Sequence, residues 1–131
     1  MTIPRQHTIT QLHVQIDSTE KTDVYLFAHA DDAAGPVGML VLGLEDGENT
    51  GWISRVFVEP DYRRRGITKE LFKWATMICE QKQLGHLSLS VSDKNTIAQN
   101  AYLSMGFKPF MKGTEGYMQY IKTLVNNERA A

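Results

Sequence analysis

The hydrophobic pattern of this chain changes period once, near residue 60, and that change limits the folds open to it. Upstream, apolar residues alternate with polar ones at the two-residue period of a strand, as where Leu12, Val14 and Ile16 interleave with His13 and Gln15. Val24–Ala30 reads as a strand with Tyr25, Phe27 and His29 on one face. Val37–Leu44 is a mostly apolar strand, and Trp52–Val58 is a fourth, closed by Pro60. Turn chemistry separates them at Asp17–Asp23, Asp31–Pro36 and Glu45–Gly51. Downstream, Ile67, Leu71, Trp74, Ala75, Ile78 and Cys79 recur at helical spacing, with Gly85 as a stop. Alternation returns over Leu87, Leu89 and Val91. Asn95 is placed to cap a second helix carrying Ile97, Ala98, Ala101, Tyr102 and Met105, which Gly106 ends. Phe107–Met111 and Tyr117–Leu124 read as a closing hairpin across Lys112–Gly116. Strands first, then helix, strand, helix, strand and strand, specify a mixed α/β sheet with helices covering its faces.

At 131 residues the chain is about one domain. Its 14 basic residues face 15 acidic ones, so there is no global basic field to hold a nucleic-acid backbone. One cysteine, Cys79, rules out an internal disulfide or a multi-thiolate zinc site, and on the apolar stripe of the first helix it reads as a buried thiol. His7, His13, His29 and His86 are scattered without ligand spacing, so no metal is expected. Residues 1–11 are polar and lack the apolar core of a signal peptide. The apolar runs fall far short of the ~20 residues of a membrane helix. A cytoplasmic protein without membrane or nucleic-acid partners is expected.

The chemistry concentrates in Val56-Phe57-Val58-Glu59-Pro60-Asp61-Tyr62-Arg63-Arg64-Arg65-Gly66-Ile67-Thr68-Lys69, where a strand end, a basic loop and a helix start follow one another directly. Unpaired amides at a helix N-terminus point outward, and the helix dipole favours an anion there by about 0.3–1 kcal/mol. Gly66 lets the backbone approach that anion, and Arg63, Arg64 and Arg65 can add charge-assisted hydrogen bonds. The loop is suited to a phosphate or pyrophosphate, although three arginines alone are more often a solvated charge run. No Gly-Lys-Ser/Thr follows, which excludes a Walker loop, and the three spaced glycines of a dinucleotide fingerprint are missing.

Two motifs in this order resemble those of the GNAT superfamily of acyl-CoA-dependent N-acetyltransferases. Val58-Glu59-Pro60 followed by Arg63-Arg64-Arg65-Gly66-Ile67-Thr68 is similar to the family's V-x-P and Q/R-x-x-G-x-G/A. Asn95, Ala98, Tyr102 and Gly106-Phe107 match N-x-x-A-x-x-x-Y-x-x-x-G-F. The resemblance covers residues 37–123 well and 1–36 poorly, within a single domain ending in a tail at 124–131. It implies a GNAT-like mixed, mostly antiparallel sheet flanked by helices. It further implies acetyl-CoA as co-substrate and direct attack of a primary amine, in a protein or a small molecule, without an acyl-enzyme. Position by position, the backbone of Val56, Phe57 and Val58 would pair with the pantetheine arm. Amides of Arg64, Arg65, Gly66, Ile67 and Thr68 would hold the pyrophosphate, with Arg63 and Lys69 beside it. Asn95 would contact the arm, and Tyr102 would protonate the departing thiolate.

Three departures from the family pattern stand out. Thr68 occupies a position usually taken by Gly or Ala, and its branched side chain narrows the approach. The usual general-base positions hold Ser90 in one subgroup's alignment and Trp52 or Ile53 in another's. Substitutes would be a water chain at Ser90 or Ser92, or the carboxylates of Glu59, Glu45 or Asp46. Finally, Asp17–Asp23 is too short for the two helices that normally wall the acceptor site. The resulting open cleft suits a protein side chain or completion by a second copy in a homodimer. It also fits the alternative of a catalytically silent CoA-binding or protein-interaction module.

Overall fold

A computed structural model describes residues 7–16 and 20–124. Its elements run β1 (His7–Gln15), β2 (Lys21–Ala30), β3 (Pro36–Glu45), β4 (Thr50–Val58), a 3-10 turn (Pro60–Tyr62), α1 (Ile67–Gln81), β5 (His86–Ser92), α2 (Thr96–Ser104), β6 (Lys108–Lys112) and β7 (Tyr117–Thr123). The order expected from the sequence is the order found. The first strand begins earlier than the Leu12–Ile16 alternation suggests, because His7–Gln15 pairs along its whole length with Thr22–Ala30. Asp17, Ser18 and Thr19 of the expected turn lie outside the described residues.

One seven-stranded sheet has the order β1-β2-β3-β4-β5-β7-β6. Each neighbouring pair is antiparallel except β4–β5, where α1 carries the chain back to start β5 in the direction of β4. That crossover makes the sheet mixed.

The strand registers sort side chains onto two faces. Val24, Leu26 and Ala28 of β2 pair with Leu42, Leu40 and Gly38 of β3, and this face carries the core with Ile53, Leu87 and Leu89. The inward residues of α1 (Ile67, Leu71, Phe72, Ala75, Ile78 and Cys79) pack onto it. Each fully buried leucine there contributes about 1.5–3 kcal/mol. Gly51 permits the close approach, since a Cβ at that position would lie 2.6 Å from the Cys79 sulfur. Helix α2 joins the same side through Tyr102, whose ring centroid is 5.7 Å from that of Phe72.

Among the described residues the helices thus cover one face, not both. The other face carries Leu12 and Val14 of β1, Tyr25 and Phe27 of β2, Met39 of β3, and Trp52, Arg55 and Phe57 of β4. Leu12 is 54 % exposed and Trp52 44 %. The Leu12–Val14 alternation therefore points outward, and Trp52 stands on open surface.

Candidate active site

The site lies where the sheet splits. Strands β4 and β5 pair only over Thr50–Ile53 with His86–Leu89. At that point β4 carries a bulge: Val41 faces Arg55 while Leu42 faces Ile53, leaving Ser54 as an extra residue. A bulge bends and twists its strand. Beyond it, Val56, Phe57 and Val58 pair with Leu40, Met39 and Gly38 on one side and with no strand on the other. Across the gap, Ser90, Val91 and Ser92 pair only with β7. The middle of the sheet therefore presents two unpaired strand edges facing each other.

Chain from the end of β4 leads into α1 at the top of this gap. Gly66, at the helix N-cap, has φ +81°, a left-handed conformation that a glycine adopts without strain. Arg64 shares that region at φ 62°. The first backbone bond of the helix runs from the Glu70 amide to the Gly66 carbonyl at 3.0 Å. The amides of Arg64, Arg65, Gly66, Ile67, Thr68 and Lys69 thus donate to no carbonyl or side chain among the described residues. Unbonded amides in succession at the positive end of a helix dipole form an anion cradle. They open on a cavity of about 400 Å³, walled on the opposite side by Ala101, Ser104 and Met105 of α2. The sequence pattern marks Ala101 and Met105 as helical but not as a wall of the site. The signal that could have found all three is their i, i+3, i+4 spacing, which puts them on one helical face beside the motif.

The arginines divide their tasks. Arg63 donates from Nε to the Val58 carbonyl at 3.0 Å, which pins the loop to the strand end. The Arg65 guanidinium stacks 4.6 Å over the Tyr62 ring, and the Tyr62 hydroxyl donates to Asp32 at 3.2 Å. Arg64 has no side-chain partner among the described residues. Two of the three guanidiniums therefore build the loop as well as charging it. Lys69 borders the cavity and is exposed, and the Ile67 side chain is in the core, leaving its amide for the cradle. Thr68 lines the same cavity.

Asn95 accepts from the Ala98 amide at 3.1 Å and so caps α2, as its place in the sequence suggests. Its Nδ2 donates to no described residue. Gln99 ties the helix to the end of β5 by donating to the Ser92 carbonyl at 2.9 Å. The Tyr102 ring packs between Phe72 and Phe107, with centroids 5.7 and 6.2 Å away. Its hydroxyl has no partner among the described residues and is not sealed from solvent. Burial of the ring pushes the hydroxyl above its ordinary pKa, so it holds its proton at neutral pH.

Of the carboxylates considered as a base, Glu45 and Asp46 are removed by the fold. They sit in the β3–β4 hairpin, at the opposite end of these strands from the cradle. Glu59 is exposed just past β4, and Ser90 is exposed at the gap. Ser92 uses its Oγ to accept from the Lys94 amide at 3.2 Å.

A profile of the acetyltransferase (GNAT) family matches residues 2–107. The chain belongs to this family. A Bacillus subtilis protein named as a [ribosomal protein bS18]-alanine N-acetyltransferase is 33% identical over 57 residues, 44% of this chain and 38% of that one. This GNAT chain therefore matches well under half the length of that relative. Among solved structures, the PaiA N-acetyltransferase of Thermoplasma acidophilum in complex with coenzyme A has a TM-score of 0.68 at 24% identity, covering 77% of this chain and 60% of the other. A Klebsiella pneumoniae protein named as an acyl-CoA N-acyltransferase reaches 0.76 at 15% identity, covering 90% and 97%. At these identities the likeness is one of fold. No helix among the described residues is long and apolar enough to cross a membrane.

Proposed function

We propose that this GNAT chain transfers the acetyl group of acetyl-CoA to a primary amine by direct attack. The observation that carries the reading is the row of unbonded amides from Arg64 to Lys69 beside an unpaired strand edge. A diphosphate fits the first and an amide-bearing arm fits the second. The amides take the pyrophosphate oxygens, Arg64 and Lys69 add positive charge, and Val56–Val58 offer backbone groups to the pantetheine amides. Asn95 has a free Nδ2 to donate to the same arm.

With the cofactor on the helical side of the gap, the amine arrives from the helix-free side. Departure of the thiolate needs a proton, and the unpartnered Tyr102 hydroxyl, kept protonated by burial, supplies it. Removing the proton of the attacking ammonium falls to water at Ser90 or to Glu59, since neither Glu45 nor Asp46 reaches the gap. A silent CoA-binding module is the second reading, favoured by the serine at Ser90 where a carboxylate would serve as base.

Calorimetry with coenzyme A, followed by incubation with labelled acetyl-CoA and a panel of amines and proteins, tests both. Saturable binding with label transfer supports the enzyme. Binding without transfer to any acceptor supports the module, and no binding refutes both.

A further inference from the structure

The bulge in β4 decides which side chain faces the acceptor. Ile53 is in the core, and strict alternation from it would turn Ser54 outward and Arg55 inward. The extra residue reverses this. Arg55 pairs with Val41, itself opposite Tyr25, so it stands on the helix-free face where β4 and β5 part. Bulges next to active sites re-aim a side chain in this way.

Arg55 is exposed, and its guanidinium has no partner among the described residues. It is also alone in its charge. Across the gap on this face, β5 offers the hydroxyls of Ser90 and Ser92, and β7 the Gln119 amide and the exposed Tyr117 ring. Lys122, the one lysine of β7, pairs with buried Leu87 and lies 6.0 Å over the Phe107 ring on the other face. No other lysine or arginine, and no carboxylate, belongs to β4, β5 or β7. Asp23 shares the face but sits two strands away, about 10 Å at the usual spacing. Glu59 lies four residues farther along the chain, about 13 Å at the usual rise.

We infer that Arg55 selects the acceptor, an amine that also carries a carboxylate, by taking that carboxylate on its guanidinium. This rests on the acetyltransferase reading, because it names the acceptor for the same gap. A planar guanidinium matches a carboxylate with two parallel hydrogen bonds, so it selects by shape as well as by charge. Trp52 and Phe57, 44 % and 46 % exposed on either side of Arg55, give an apolar floor for the stem between the two groups. Strands lie about 4.8 Å apart, so an amine in the gap leaves a carboxylate a few bonds away beside Arg55. In the transfer the C–N bond forms and the thioester C–S bond breaks. The nitrogen gives up one proton, the departing sulfur gains one, and the carboxylate is unchanged.

Initial rates with acetyl-CoA test this on ω-amino acids of two to six carbons, each beside its own amide. An aspartate-first dipeptide beside its asparagine-first analogue tells a peptide end from a free amino acid, and a preference in either arm supports the role of Arg55. For the best acid, kcat/KM is expected at least tenfold above its amide, and equal values in every pair would overturn the inference. Arg55→Gln should bring that ratio to about one, and Arg55→Lys should restore part of it. Lys108→Gln, exposed on the same face of the outer strand β6, should leave the ratio as it is. A ratio that survives Arg55→Gln, or falls equally with Lys108→Gln, would also overturn the inference. Coenzyme A binding without transfer to any of these amines would refute the acetyltransferase reading itself. Transfer that ignores the carboxylate would refute only this choice of acceptor.

Discussion

The two faces of this sheet are built from the same strands by the same alternation, yet they solve opposite problems. On the helical face Val24, Leu26 and Ala28 are 0 % exposed beneath α1. On the other, the residues in between, Tyr25 and Phe27, stay half-buried, and Leu12 and Trp52 meet solvent. The covered face holds the register, because a one-residue slip would turn every buried side chain outward. The open face contributes little to that register.

That contrast can be broken by substitution. The largest effect belongs to the covered face: Leu26→Ala should cost about 2–5 kcal/mol in denaturant unfolding, because a fully buried side chain leaves a cavity. A loss under about 1 kcal/mol would mean that the covered face is not the core. Next comes Tyr102→Phe, which keeps the ring packed on Phe72 and removes only the hydroxyl. It should lower kcat about a hundredfold with stability and coenzyme A affinity nearly unchanged. An unaltered kcat would strip Tyr102 of its acid role.

The thiol of Cys79, fully enclosed under α1, is pushed up to about 12 by burial, with Glu80 adding to the shift and Lys82 opposing it. The unfolded chain loses that proton near pH 9 and the folded chain keeps it. Stability therefore falls as pH rises, by about 1 kcal/mol between about pH 9 and 10. Cys79→Ala should flatten this slope, and a variant with the same slope would assign it to other groups. Removing the α2 cap by Asn95→Ala should cost about 1 kcal/mol. A purely cofactor-binding asparagine would instead leave unfolding unchanged. The smallest effect belongs to the open face. Leu12 is 54 % exposed, so Leu12→Ser should change stability by less than about 0.5 kcal/mol. A larger loss would show that this face is covered after all.

Much of the site is legible in the chain itself. Pro60, the three arginines and Gly66 announce a break between strand and helix, and the left-handed Gly66 sits at the N-cap. Asn95 and Gly106 bracket α2 as caps, the latter at φ +95°. Both are local signals, written in residues a few positions apart. What stays hidden depends on distant partners. Alternation in Leu12–Ile16 marks a strand but does not say which set of side chains faces the core. That choice is made only when β1 pairs with β2 and β2 receives α1. The Arg63 guanidinium reads as a phosphate ligand until the loop folds back and offers it the Val58 carbonyl.

By itself, then, the sequence determined the succession of elements, the cradle's position in the chain and the glycine that permits its turn, because backbone conformation and helix capping are settled within a few residues. Tertiary structure alone decided that β4 and β5 part after Ile53, that Glu45 and Asp46 lie at the far end of these strands from the cradle, and that the helices among the described residues cover one face of the sheet. Each of those outcomes depends on which strands meet across the crossover, and pairing between distant segments is decided by burial of the whole sheet rather than by any one stretch of it.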